Sequence, residues 1–179
     1  MKTIINDPLL TMARAATWVV QIAFIIGQIG LGIAMAATVI AALGFLPQDA
    51  VVEGIEHLRP GVLWPAALAM ALVLVALGMA TQFVVRLRQI IDTVGHGDPF
   101  AAENGERLTR MAWLALIGQV LAMIAGAIGG WIHVHGGRGD FDLDIDVSLT
   151  GFFIAVLLFI LARVFRKGAE MRAELEGTV

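Results

Sequence analysis

Four stretches of this chain contain no Asp, Glu, Lys or Arg: Ala15–Leu46, Val62–Val85, Met111–Ile132 and Val147–Ala162. No other feature constrains the fold as strongly. A helix needs about 20 apolar residues to cross a hydrocarbon core of roughly 30 Å, and the first three stretches are long enough on their own. The fourth reaches the interface through Arg163 to Phe165 if the arginine stem carries its charge into the headgroup layer. With 59% of its 179 residues hydrophobic and 15% charged, the chain lies outside the range of an ordinary soluble domain. The expected fold is therefore an all-α integral membrane protein, a single domain over residues 1–179. Its four transmembrane helices fall at about 15–46, 62–85, 111–132 and 147–165, with a loop at 86–110 and a tail at 166–179.

Lys and Arg set the expected orientation. Four spans put both termini and the 86–110 loop on one side, with Lys2, Arg14, Arg86, Arg88, Arg107, Arg110, Arg163, Arg166, Lys167 and Arg172. The opposite side holds only Arg59 and Arg138. Such a bias in short loops makes both termini cytoplasmic and the location a bacterial inner membrane. Trp18 and Trp113 then fall near the inner interface, and Trp64 and Trp131 near the outer one. The triplet AMA at 34–36 has the small residues of a signal-peptide cleavage site, but its apolar block runs on to Leu46, so an uncleaved first helix is expected. The absence of Cys means that no disulfide braces the outer loops.

Chemistry is hard to place on such a chain. Ion-coupled transport usually keeps ionisable residues inside the membrane, and the four blocks have none. Their polar residues are Gln21, Gln28, Gln82 and Gln119 with Thr38 and Thr81, read as interhelical hydrogen bonds; Gln28 and Gln119 are also candidates for lining a cavity. His57 with Glu53 and Glu56, and His133 and His135 with the aspartates of FDLDIDV, are the candidate metal ligands. The aspartate row lacks the sixth-position Gly and terminal acid of a calcium loop. Alternating apolar and acidic residues instead predict a short extended segment in the second outer loop. No cofactor or metal is expected. There is no phosphate-binding glycine loop and one Ser in the chain, Ser148, so no enzyme is expected either. No basic cluster is large enough for direct nucleic-acid binding.

Small residues at Gly118, Ala122, Gly126 and Gly130 recur every four positions, a stripe that admits a closely packed helix. Packing within the bundle, with Ala23 and Gly27 facing the stripe, is the stronger reading; a homo-oligomer is the other.

The 95–110 loop is unlike a slack tether. Gly95 stops the second helix and Gly97 reverses the chain. Asp98 has the chemistry of a helix N-cap and Pro99 that of a first helical residue, so a short helix is expected there. Asn104-Gly105 reads as a break before Glu106 opens the third helix. Phe100 is placed to pack on the neighbouring helix ends. In the tail, Arg166–Glu170 and Arg172–Glu176 stand at the spacing of helical ion pairs.

The pattern Gly97, Asp98, Pro99, Phe100, Asn104 and Leu108, followed by Arg110 and a third span, resembles the bacterial membrane family called domain of unknown function 2975. The ending ARVFRKGAEMRAELEGTV is similar too, with Phe165, Gly168, Glu174, Thr178 and Val179 at matching places. The resemblance extends over nearly the whole chain. It implies four spans and a cytoplasmic loop-and-tail pair, and no biochemical activity. Members of the family are often encoded beside a small helix-turn-helix protein of the Cro/repressor type. Two readings of the motif follow. In one, Pro99, Phe100 and Asn104 end helices and hold the tail. In the other, loop and tail dock a cytoplasmic regulator, with Phe100, Arg110, Arg166 and Glu174 as contacts. The alternatives in function are a receptor or carrier for a small apolar ligand or lipid between the helices, and a structural membrane subunit.

Overall fold

The computed structural model describes residues 8–45, 60–135 and 149–176. They form four α-helices: α1 (Pro8–Ala42), α2 (Leu63–Gly95, entered through a 3-10 turn at Pro60–Val62), α3 (Ala102–His135) and α4 (Thr150–Glu176). No strand occurs among the described residues. The FDLDIDV segment, His57 with its neighbouring glutamates, Ser148, Thr178 and Val179 lie outside the described residues.

At their charged ends the helices outrun the charge-free blocks because helical propensity does not stop where charge begins. By contrast, α1 stops at Ala42, short of the expected 46, and α4 starts at Thr150, after the expected 147. α2 passes through Arg86 and Arg88 to Gly95, and α4 carries its apolar run and the expected tail as one rod. At about 1.5 Å per residue, the 33 to 35 residues of α1, α2 and α3 give rods of roughly 50 Å. α1 opens on Pro8, whose missing N–H costs nothing at a first helical position.

Two of the helices end in the same way. Gly44 and Gly97 have φ of 76° and 85°, the left-handed region. Phe45 N–H reaches back to Ile40 C=O and Gly44 N–H to Ala41 C=O; Asp98 N–H reaches Thr93 C=O and Gly97 N–H reaches Val94 C=O. Each pair is a Schellman closure that satisfies the last carbonyls. Gly97 is thus the terminating residue, and Gly95 is still helical.

The chain divides into two compact units. Unit 1 draws on Met1–Phe24, Met79–Ile117 and Leu149–Val179; unit 2 on Ile25–Gly78 and Gly118–Ser148. The core of unit 1 follows a helical period along α3, where Asn104, Leu108, Met111 and Ala112 are all buried, against Ala155 and Ala162 of α4. Unit 2 packs Val62, Leu63, Ala66 and Ala69 with Thr38 and Ala125. Thr38 donates its hydroxyl to Ala34 C=O at 2.9 Å and lies 3.7 Å from the Met70 sulfur.

What the helices bury is little. Only 6%, 11% and 17% of the most apolar windows of α1, α2 and α3 are inside the protein. Ile22, Ile26, Ile29 and Ile33 of α1 are each at least half exposed. So large an apolar surface does not belong in water. These three helices are long and apolar enough to cross a membrane.

Candidate functional site

The loop and tail singled out above meet inside unit 1, where Phe100 lies on Phe165 and Gly168 and Asp98 pairs with Arg172. Asn104 is the centre. Its side chain is fully buried, and its Nδ2 donates to Thr93 Oγ1 at 2.8 Å and to Pro99 C=O at 3.0 Å. Its Oδ1 accepts from Arg107 Nη1 at 2.8 Å, while the Thr93 hydroxyl donates on to Ile90 C=O at 2.8 Å. One amide thereby joins the end of α2, the loop and the start of α3. A buried amide with these groups satisfied fixes the loop; stripped of partners, it would cost about 1–3 kcal/mol.

The expected short helix is absent. Pro99 and Phe100 form a turn, and α3 begins at Ala102 and runs without a break through Asn104-Gly105. Asp98 caps nothing: its carboxylate takes Arg172 Nη1 of α4 at 2.5 Å. The local preference of Asn-Gly for turns is overridden by packing. Asn104 finds its partners only in a helix, and Gly105 lets α4 approach, since a Cβ there would lie 2.6 Å from Arg166 Cγ and 3.4 Å from Ala162 C=O.

Phe100 turns onto α4. Its ring lies 5.5 Å from that of Phe165 at a 45° tilt. A Cβ at Gly168 would come within 2.6 Å of the ring, so this glycine is the floor beneath Phe100. The ring nevertheless remains 42% exposed. Leu108 is buried below, and Trp113 meets Phe159 edge to face at 5.5 Å. Arg110, with a 3.8 Å pair to Glu106, Arg166 and Glu174 are exposed. The Arg166–Glu170 pair is not what forms; Lys167 holds Glu170 at 3.1 Å. Arg172 turns to Asp98, and the Glu176 side chain lies outside the described residues.

α1 contributes contacts that its sequence did not announce. Arg14 pairs with Asp92 at 2.6 Å. Arg88 stacks on Trp18 at 4.4 Å and donates to Gln21 at 3.0 Å, so this glutamine meets an arginine and not another helix's amide. The partners are 67 positions apart, beyond any local pattern. Arg86 has its Nε shut from solvent with no hydrogen-bond partner among the described residues.

Unit 2 holds a different feature. Trp64, Leu68, Ile124, Ile128 and Trp131 line an almost wholly apolar groove of about 640 Å³. The sequence placed both tryptophans at one interface, and the structure gives them one groove. A Cβ at Gly118 or Gly130 would meet nothing within 4 Å, Ala122 and Gly126 are half-buried, and the buried small residue nearby is Ala125. Gly27 likewise faces open space. His135 stacks on Trp131 at 4.6 Å, its Nδ1 2.9 Å from the Trp131 C=O. No metal-capable group of three His, Asp or Glu residues occurs among the described residues.

Among the described residues the architecture is all-helical, three helices are long and apolar enough to cross a membrane, and loop is tied to tail; together these mark a helical membrane protein. The chain belongs to the family described as protein of unknown function (DUF2975), whose model matches residues 50–179. Both motifs fall inside the matched stretch, while α1 precedes it. No curated protein and no solved structure matches the chain.

Proposed function

We propose that the protein is a non-enzymatic, four-span protein of the bacterial inner membrane, with α4 as the fourth span and both termini cytoplasmic. Its 95–110 loop and C-terminal tail form a platform that docks a cytoplasmic helix-turn-helix regulator. The observation that carries this reading is the joining of loop and tail into one fixed surface, with Phe100 seated on Gly168 and Phe165 yet 42% exposed. The Lys/Arg bias supports the orientation, and the resemblance to a family often encoded beside such regulators supports the partner. Copurification of the tagged chain from its own membranes tests it. The neighbouring helix-turn-helix protein should come down with the native chain and be lost with Arg110→Glu, Glu174→Lys, two exposed positions outside the knot. Recovery of the chain alone in both cases would leave the loop as architecture.

The groove of unit 2 favours a second reading, a receptor or carrier for a lipid-like molecule, because an aromatic-rimmed apolar groove suits an acyl chain or a flat apolar ligand. Mass spectrometry of an organic extract of the purified protein would detect such a species; an empty extract counts against it. A structural subunit, self-associated or not, is what stands if both fail.

A further inference from the structure

We infer that residues Arg163, Arg166 and Lys167 of α4 bind the phosphate of an anionic phospholipid headgroup. The inference rests on the reading of α4 as a span. Along one flank of that helix, Val156 and Ile160 are more than half exposed, and the next positions in the same i, i+3, i+4 progression are Arg163 and Lys167. The exposed apolar stripe therefore turns cationic within one turn, where hydrocarbon gives way to headgroups. With Glu170, the three cations line a cleft of about 580 Å³.

Among the described residues, five other cations of unit 1 are already engaged, while Arg86 has its Nε shut away from solvent. Arg14, Arg107, Arg110 and Arg172 each face a carboxylate, and Arg88 lies on Trp18 and Gln21. Arg163 and Arg166 share this cleft and have no ion-pair or hydrogen-bond partner among the described residues, whereas its carboxylate, Glu170, is held by Lys167. Lys167 spends one donor on Glu170 at 3.1 Å and keeps two. The stem of Arg166 packs against the backbone of Gly105, the contact that leaves no room for a Cβ there. Its root is thus positioned before any ligand arrives, which lowers the ordering cost of binding. Guanidinium groups take phosphate oxygens two at a time, and a phosphodiester between two of them satisfies the fork geometry of both.

The test uses the full-length protein in mild detergent, titrated with phosphatidylglycerol or phosphatidylcholine and read by native mass spectrometry. Native protein should retain phosphatidylglycerol preferentially. Arg163→Gln, Arg166→Gln should lose that preference by about fivefold for each cation removed. Glu170→Gln, which removes the one carboxylate of the cleft, should strengthen it, an outcome that misfolding does not imitate. Equal retention of the two lipids by native protein, or full preference in the double variant, overturns the inference. Competition by millimolar inorganic phosphate would also overturn it by making the site one for a free anion. Leu157→Cys in this cysteine-free chain separates the two layers of the argument. Labelling of that thiol by a water-soluble maleimide in intact membranes would sink the span itself, whereas protection together with equal lipid retention would sink only the lipid site.

Discussion

The two units of this molecule solve the same problem with different chemistry. Unit 2 is held by small apolar contacts around Ala66, Ala69 and Ala125, with one buried hydroxyl, Thr38, satisfied largely by its own helix. Unit 1 is held by named pairs: Asn104 with Thr93 and Pro99, Asp98 with Arg172, Arg14 with Asp92, Phe100 with Gly168. Apolar packing between helices in lipid has no hydrophobic driving force behind it and tolerates exchange. A buried amide or a glycine under an aromatic ring does not. The contrast teaches that sequence specificity in this chain is concentrated in the unit that carries the charged loop and helix ends.

The contrast can be broken at unit 1 first. Asn104→Leu strands the Thr93 and Pro99 partners and should destabilise the protein by about 3 kcal/mol, read as a fall in the thermal midpoint in detergent. An unchanged midpoint would mean that the knot contributes nothing. Phe100→Ala removes a half-buried ring, at a cost of about 1–2 kcal/mol. Its signature is local: amide hydrogen exchange should quicken over 165–176 and not over α2. Arg172→Ala breaks a half-exposed ion pair and should cost about 0.5 kcal/mol or less, with the difference vanishing in high salt. At the far end of the scale, Gly118→Ala and Gly130→Ala meet open space and should leave the midpoint unchanged or slightly raised. If native-membrane crosslinking is nonetheless lost in that pair of variants, the stripe is a contact between copies, and unit 2 is more specific than its interior shows.

Much of the helical content was legible because lipid imposes so simple a rule: long runs without charge must be helical. The loop was legible as a built object but misread in detail. Asn104-Gly105 looked like a break because the pair is weighed against local preference alone. The signal that contradicts this was present, since positions 104, 108, 111 and 112 form one helical stripe and only a helix starting before Asn104 aligns them. Arg88 on Trp18 and Arg14 on Asp92 were not legible in that way. Their partners lie across two helices, and nothing in the spacing of either helix names the other. The same holds for the groove of unit 2, whose two tryptophans could be assigned a depth from the sequence but not a common wall.

The contact between Phe100 and Gly168 has a further consequence. The two positions share one fixed volume, most of it now occupied from the loop side. Size at one can grow only as size at the other shrinks. Gly168→Leu should therefore be harmful alone and be rescued by Phe100→Ala, with the side chain from the tail filling the space that the ring vacates. Loop and tail would then drift together as this protein diverges: a bulky residue on one side is a licence for a small one on the other.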